Sequence, residues 1–152
     1  MNVTRAVAAG VIGTAAMTAL LIVEPSVGLP RIAIGQILST ALGLAPAYLA
    51  IGPAVGWGID FLVGVAFALV YAGVFERRLP GGALARGAIY GIMVFVLAQL
   101  VFMPSVGGGV FSHGDLQMIA GSLLGHLVYG VSVGWIYGLQ SASGHPGGQA
   151  AP

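Results

Sequence analysis

Four apolar runs, each long enough to cross a lipid bilayer, set the architecture of this chain. They cover residues 6–23, 53–75, 87–103 and 116–139. A helix needs about 17–25 residues to cross the hydrocarbon core, and every run meets that length. Charged residues make up only 6% of the chain, whereas soluble domains carry about 25%. The sequence therefore predicts an all-α membrane protein with four transmembrane helices.

A further apolar stretch, residues 32–51, lies between the first and second spans. Only Gly52 separates it from the second span, and two antiparallel spans need a turn of at least a few residues. We therefore expect residues 31–44 to form an interfacial helix that lies at, or dips into, the membrane surface. A fifth span over residues 32–51 is the alternative.

The arginines predict how the spans are oriented. Four of the five precede the first span or lie between the second and third spans, and one follows the first span. They are Arg5, Arg77, Arg78 and Arg86, with Arg31 as the exception. The positive-inside rule places the group of four in the cytoplasm. Both termini are then cytoplasmic, with residues 24–52 and 104–115 on the outer side.

The chain repeats itself, since the letters PSVG occur at 25–28 and again at 104–107. One constant shift aligns the first span with the third, and another aligns the second with the fourth. The aligned pairs are Arg5 with Arg86, Gly10 with Gly91, Asp60 with His126, Gly64 with Gly130, Val65 with Val131 and Tyr71 with Tyr137. We predict a duplication of a helical hairpin, residues 5–75 and 86–139, as parallel repeats about an axis along the membrane normal. These form one domain, residues 1–139, and a disordered Gly/Pro/Ser-rich tail follows at 140–152.

Small residues recur every four positions in the second and fourth spans. Such ladders let helix backbones approach closely, which drives helix association in lipid. We therefore expect these two spans to pack against each other. The expected contact residues are Gly56, Gly64 and Ala68 in the second span and Ser122, Gly130 and Gly134 in the fourth.

An ionisable residue lies at the centre of each ladder, Asp60 in the second span and His126 in the fourth. Such residues are costly in a membrane and point to function. We expect the two to face each other in the outer half, where Glu24 could join them. The set suits proton transfer, or it could hold a divalent metal ion. An Asp60–His126 hydrogen bond that only fixes helix register is the structural alternative.

Two other polar residues receive structural interpretations. Gln99, inside the third span, is interpreted as a residue that forms hydrogen bonds between helices. Asp115, directly before the fourth span, is a favourable N-cap for that helix.

Three segments together resemble a group of small, uncharacterised bacterial inner-membrane proteins with four spans. The segments are GTAAMTAL, FMPSVGGGVF and GHLVYG. The group is of the domain-of-unknown-function kind and loosely YagU-like. The resemblance implies a bacterial inner-membrane location. It also implies histidine at the position of Asp60 in many members, so that a bis-histidine haem site of the family would be broken here.

Three functions stay open. The first is a binding or permeation module for protons, metal ions or a small solute, acting through Asp60 and His126. The second is a non-catalytic accessory subunit of a membrane redox or transport complex, and the third is a haem- or metal-binding membrane protein. No nucleophile–base–orienter set can be assembled from these side chains, so an enzyme is not expected and no cofactor is specified.

Partners follow from size and charge. A four-helix bundle of this size has thin walls, so we expect a homo-oligomer or a larger complex within the lipid bilayer. The net charge is +1 and the chain has no lysine, which argues against nucleic acid as a partner.

Overall fold

The computed structural model describes residues 1–43 and 52–139, and this part of the chain is helical without any strand. Within it, four helices are long and apolar enough to cross a membrane: Val3–Val27, Gly52–Phe75, Ala83–Ser105 and Leu116–Leu139. We number these helices as spans one to four. They confirm the predicted all-α, multi-pass membrane protein. The predicted disordered tail, residues 140–152, lies outside the described residues.

The two ends of the bundle carry different parts of the chain. The connector end holds residues 28–43 and 106–115, which link spans one to two and three to four. The terminal end holds residues 1–5, residues 76–82 and the end of span four. Both ends of the described chain therefore lie on one side of the bundle.

Capping side chains fix where two of the spans begin. Asn2 Oδ1 accepts a hydrogen bond of 3.1 Å from the Arg5 amide at the start of span one. Asp115 Oδ1 accepts from the amides of Gln117 and Met118 at 3.0 and 3.1 Å. These acceptors satisfy amides that have no partner inside the helix. The predicted N-cap role of Asp115 is thereby confirmed.

A short helix, Ile34–Ala41, follows span one and packs against the beginning of span two. Its eight residues extend for about 12 Å at 1.5 Å per residue, too short to cross a membrane. The contact is close because Gly35 lies against the backbone of Gly56. The helix predicted over residues 31–44 is present but shorter than expected, and its interfacial position stays a prediction. Residues 44–51 lie outside the described residues.

The spans are arranged around the bundle in the order two, one, four, three. Span one packs against spans two and four, and span four packs against span three. Spans two and four therefore lie diagonally, so the predicted packing of these two spans against each other is wrong. The backbones of spans two and three, which would close the ring, hardly approach each other.

Each small-residue ladder contacts a neighbouring span instead of the other ladder. A Cβ on Gly64 would overlap the Thr14 hydroxyl in span one. A Cβ on Gly130 would overlap the backbone of Gly87 in span three. Three of the remaining expected contact residues also lie against neighbouring segments. Gly56 contacts the short helix Ile34–Ala41, Ala68 contacts Gly10, and Gly134 contacts the backbone of residues 83 and 87. Ser122 lines a cavity instead.

The aligned glycines Gly10 and Gly91 both approach the aligned ladder glycines Gly64 and Gly130, although their nearest neighbours differ, Val65 for Gly10 and the backbone of His126 for Gly91. A Cβ on Gly10 would meet the Gly64 carbonyl oxygen at 3.1 Å, and a Cβ on Gly91 would meet the Gly130 Cα at 3.3 Å. Gly10 and Gly91 correspond under one alignment shift, and Gly64 and Gly130 under the other. The duplication itself stays a prediction.

The terminal half of the bundle is filled. Tyrosine rings from three spans meet there, with Tyr71 centred 5.1 Å from Tyr90 and 6.2 Å from Tyr137. Tyr129 and Tyr90 donate to backbone carbonyls of span two, at Gly64 (2.5 Å) and Phe67 (2.7 Å). Buried tyrosines pack well where the hydroxyl finds such a partner. Around them lie small and branched residues: Ala6, Ala9, Ala68, Ala72, Val94 and Val133.

Candidate functional site

The connector half of the bundle is hollow. A cavity of about 420 Å³ lies there, lined by residues of all four spans and of both connections. Most of its wall is apolar, as at Met17, Leu21, Ile37, Phe67 and Met118. This size and character are typical of small-molecule sites, which measure about 300–1,000 Å³ and carry few polar groups.

Asp60 contributes a carboxylate from span two. The side chain is buried and lines the cavity, and its Oδ2 has no hydrogen-bond partner among the described residues. Its ladder neighbours Gly56 and Gly64 have no side chains that could donate to it. A carboxylate oxygen without a partner is therefore held at the wall of an apolar hollow.

His126 contributes an imidazole from span four. Its Nδ1 lies 2.7 Å from the carbonyl oxygen of Ser122, one helical turn earlier. A carbonyl oxygen only accepts, so Nδ1 carries a proton and donates it. In the neutral ring, Nε2 is then an acceptor for a ligand. The ring is held by an edge contact with Phe95, with centroids 6.0 Å apart.

Asp60 and His126 line the same cavity, but within the described chain no hydrogen bond or ion pair joins them. The Asp60–His126 hydrogen bond, which is the structural alternative, is therefore absent from the described structure. Two features explain its absence. His126 uses Nδ1 within its own helix, and spans two and four lie diagonally across the hollow.

Gln99 brings a third polar group to the cavity, from span three. Its side chain is buried on a π-helical turn, Ala98–Phe102, that interrupts the span. Its Oε1 accepts from the Ser112 hydroxyl at 3.3 Å, and its Nε2 has no partner among the described residues. The predicted role of Gln99, forming hydrogen bonds between chain segments, accounts for Oε1 but not for Nε2.

Irregular backbone places Ser112 over Gln99. Phe111, Ser112 and His113 have φ angles of 47°, 51° and 55°, the left-handed region that residues other than glycine rarely adopt. Strained backbone and π-helical turns are both frequent at functional sites. Two such features converge on one wall of this cavity.

Glu24 is not brought together with Asp60 and His126. It is buried at the connector end of span one, outside the cavity lining, and a Cβ on Gly121 would lie 2.9 Å from its Oε2. Neither carboxylate oxygen has a hydrogen-bond partner in the described structure. Within the described ranges, no group of three or more His, Cys, Asp or Glu residues could hold a metal ion.

Sequence reasoning missed part of the site. Thr14, Ser112 and Tyr129 also line the cavity, and the Thr14 hydroxyl has no partner among the described residues. Thr14 could have been noticed as a polar residue inside an apolar span. Ser112 could not, because its position depends on a loop conformation that no local pattern specifies.

Together, the fold and the cavity define a class, a four-span helical membrane protein with a packed terminal half and a hollow, sparsely polar connector half. The chain belongs to DUF6789, a family of unknown function whose model matches residues 1–146. The expected membership of an uncharacterised domain-of-unknown-function family is thus confirmed, while its YagU-like character stays a prediction. No curated protein and no solved structure matches the chain.

Proposed function

We propose that this protein binds a small, mostly apolar molecule in the connector-half cavity, with Asp60, Gln99 and His126 holding its polar groups. One observation carries the proposal. Asp60 Oδ2 and Gln99 Nε2 are buried without partners in the described structure, and both residues line one hollow. An unsatisfied buried polar group costs about 1–3 kcal/mol. A ligand that satisfies both groups explains why the chain carries them.

A small solute fits this cavity better than a metal ion or a proton does. A metal ion needs several convergent ligands, and no group of three suitable side chains occurs in the described ranges. A proton needs no hollow of about 420 Å³. Binding is also favoured over permeation, because the terminal half below the cavity is filled by the tyrosine cluster.

The polar groups define what the ligand must offer. The Gln99 amide nitrogen donates, so it calls for an acceptor such as a carbonyl oxygen. The Asp60 carboxylate and His126 Nε2 accept, so they call for donors such as hydroxyl groups. A molecule with both kinds of oxygen on an apolar body satisfies all three residues.

Mass spectrometry of molecules extracted from the purified protein tests this function. Protein is isolated in a mild detergent, extracted with organic solvent and compared with Gln99→Leu, which removes the unpaired amide. Gln117→Leu is the matched control, because Gln117 is exposed and lies outside the cavity. We expect a near-stoichiometric molecule in the wild type and in the control, and a loss of about tenfold in Gln99→Leu, equivalent to about 1.4 kcal/mol. Wild-type protein without such a molecule, or equal amounts in Gln99→Leu, would refute the proposal.

A further inference from the structure

The seam between spans two and three differs between the two halves of the bundle. In the terminal half it is closed, because the Tyr90 hydroxyl donates to the Phe67 carbonyl at 2.7 Å and the Tyr90 ring lies 5.3 Å from Phe75. In the connector half, Val63, Leu97 and Val101 line the cavity and are nevertheless 43%, 45% and 58% exposed. Residues that both line a hollow and face outward mark an opening. We call the opening between these three residues the lateral portal.

The lateral portal faces lipid, because it lies within the lengths of spans two and three. The polar side chains of the cavity lie deep within the membrane-spanning part of the bundle. At about 1.5 Å per residue, Gln99, Asp60 and His126 lie about 9, 12 and 15 Å from the connector ends of their spans. Half of the hydrocarbon core is about 15 Å thick. The head of a bound ligand would therefore lie below the level of phospholipid headgroups.

The charges of the wall restrict that head further. Among the described residues that line the cavity there is no arginine or lysine, and Asp60 is the acidic member. A phosphate or carboxylate head would meet Asp60 without a compensating cation, at a depth where an unpaired charge is costly. A neutral head with hydroxyl and carbonyl oxygens meets no such penalty.

We propose that the ligand enters sideways from the bilayer through the lateral portal, and that it is a neutral lipid-soluble molecule of quinone or quinol chemistry. This inference rests on the proposed function and names the class of its ligand. A quinol satisfies all three residues, because its hydroxyl groups donate to Asp60 and to His126 Nε2 while a hydroxyl oxygen accepts from Gln99 Nε2. The corresponding quinone offers carbonyl oxygens, which serve Gln99 Nε2 alone. The apolar tail of such a molecule can remain in lipid while the head occupies the cavity.

Photolabelling in phosphatidylcholine vesicles tests both parts of the inference. The probes are an azido-benzoquinone with a ten-carbon tail and the same azido-benzoquinone without a tail. Mass spectrometry of the protein measures the amount of label. Only labelling that is suppressed by an excess of unlabelled quinone is counted as specific. Two portal variants, Val63→Trp and Val101→Trp, narrow the opening from opposite sides. Their matched controls are Val55→Trp and Val96→Trp, at positions 40% and 38% exposed in the same two spans but outside the cavity lining.

We expect the tailed probe to label the wild type and both controls, and each portal variant to lose at least about tenfold. Two variants are used because either tryptophan alone could disturb folding, which helix content by circular dichroism monitors. Equal labelling by the tailless probe, unchanged in the portal variants, would overturn entry from lipid but leave the binding function standing. If neither probe labels while a molecule is still extracted from the wild type, the quinone class is wrong. If neither probe labels the protein and no molecule is extracted from the wild type, both the binding function and the quinone class are wrong.

Discussion

At the scale of single residues, the site consists of polar groups that the fold buries without satisfying. Gln99 Nε2, Asp60 Oδ2 and the Thr14 hydroxyl all lack partners in the described structure, and all three residues line the cavity. Each of these residues lines the cavity and keeps a donor or acceptor that no other described residue uses.

Removing one of these groups should stabilise the ligand-free protein. In Asp60→Leu, an unsatisfied carboxyl is replaced by an apolar side chain that the cavity has room to accept. We expect the free energy of unfolding to rise by about 1–3 kcal/mol, while the bound molecule is lost. Denaturant titration of extracted, ligand-free protein measures the effect. Ile59→Leu, at a half-buried position outside the cavity lining in the same span, is the control and should change stability little. A destabilised Asp60→Leu would instead assign the carboxylate a structural role.

The effects of truncating Asp60 and His126 should add. The two side chains share the cavity but form no bond in the described structure, so neither leaves the other without a partner. We expect Asp60→Ala and His126→Ala to combine with a coupling below about 0.5 kcal/mol, the usual limit for residues that do not interact. A double-mutant cycle on the free energy of unfolding measures it. A coupling of about 0.5–3 kcal/mol would show that the two residues pair directly.

At the scale of helices, the sequence could predict which helix faces approach another helix closely. It could not predict which helix each face contacts. The lengths of the apolar runs predicted all four spans, because crossing a bilayer imposes a minimum length. The ladders around Gly64 and Gly130 marked faces where backbones meet. Which helix meets each face depends on Gly10 and Gly91 in spans one and three, and their complementarity to the ladders becomes visible only in three dimensions.

Glycines at these helix contacts should differ in what they tolerate, according to what they face. A Cβ on Gly91 would overlap the backbone of His126, which cannot move aside, whereas a Cβ on Gly64 would overlap the Thr14 side chain, which can change rotamer. We expect Gly91→Ala to lower the free energy of unfolding by about 1–3 kcal/mol and Gly64→Ala to lower it less. Gly58→Ala, with nothing within 4 Å of the new Cβ, should stabilise the helix by up to about 1 kcal/mol. Equal losses in all three variants would mean that the measured effect does not come from helix contacts.

At the scale of the whole molecule, the bundle departs from the symmetry that the predicted duplication implies. If the two hairpins are related by an axis along the membrane normal, the contact between spans one and four should have a counterpart between spans three and two. The first contact is extensive, and the second is nearly absent at backbone level. The cavity and its lateral portal lie where that counterpart would be. The sequence could not predict this hollow, because no residue pattern marks a contact that fails to form.

The orientation of the bundle in the membrane is the remaining prediction, and it follows from four spans and the distribution of arginine. An even number of spans places both ends of the chain on one side. Arg5, Arg77, Arg78 and Arg86 belong to that terminal end, whereas Arg31 lies in the connection after span one. The positive-inside rule then predicts that the terminal end is cytoplasmic and that the cavity lies nearer the outer surface.

A reporter that is active only in the cytoplasm should work when fused to the C-terminus. The same reporter inserted between Gly107 and Gly108, at the connector end, should be expressed but inactive. A stable, inactive C-terminal fusion with an active insertion at Gly107 would mean either the reverse orientation or a fifth span. A fusion to the N-terminus separates these two outcomes, because it is active with a fifth span and inactive in the reverse orientation.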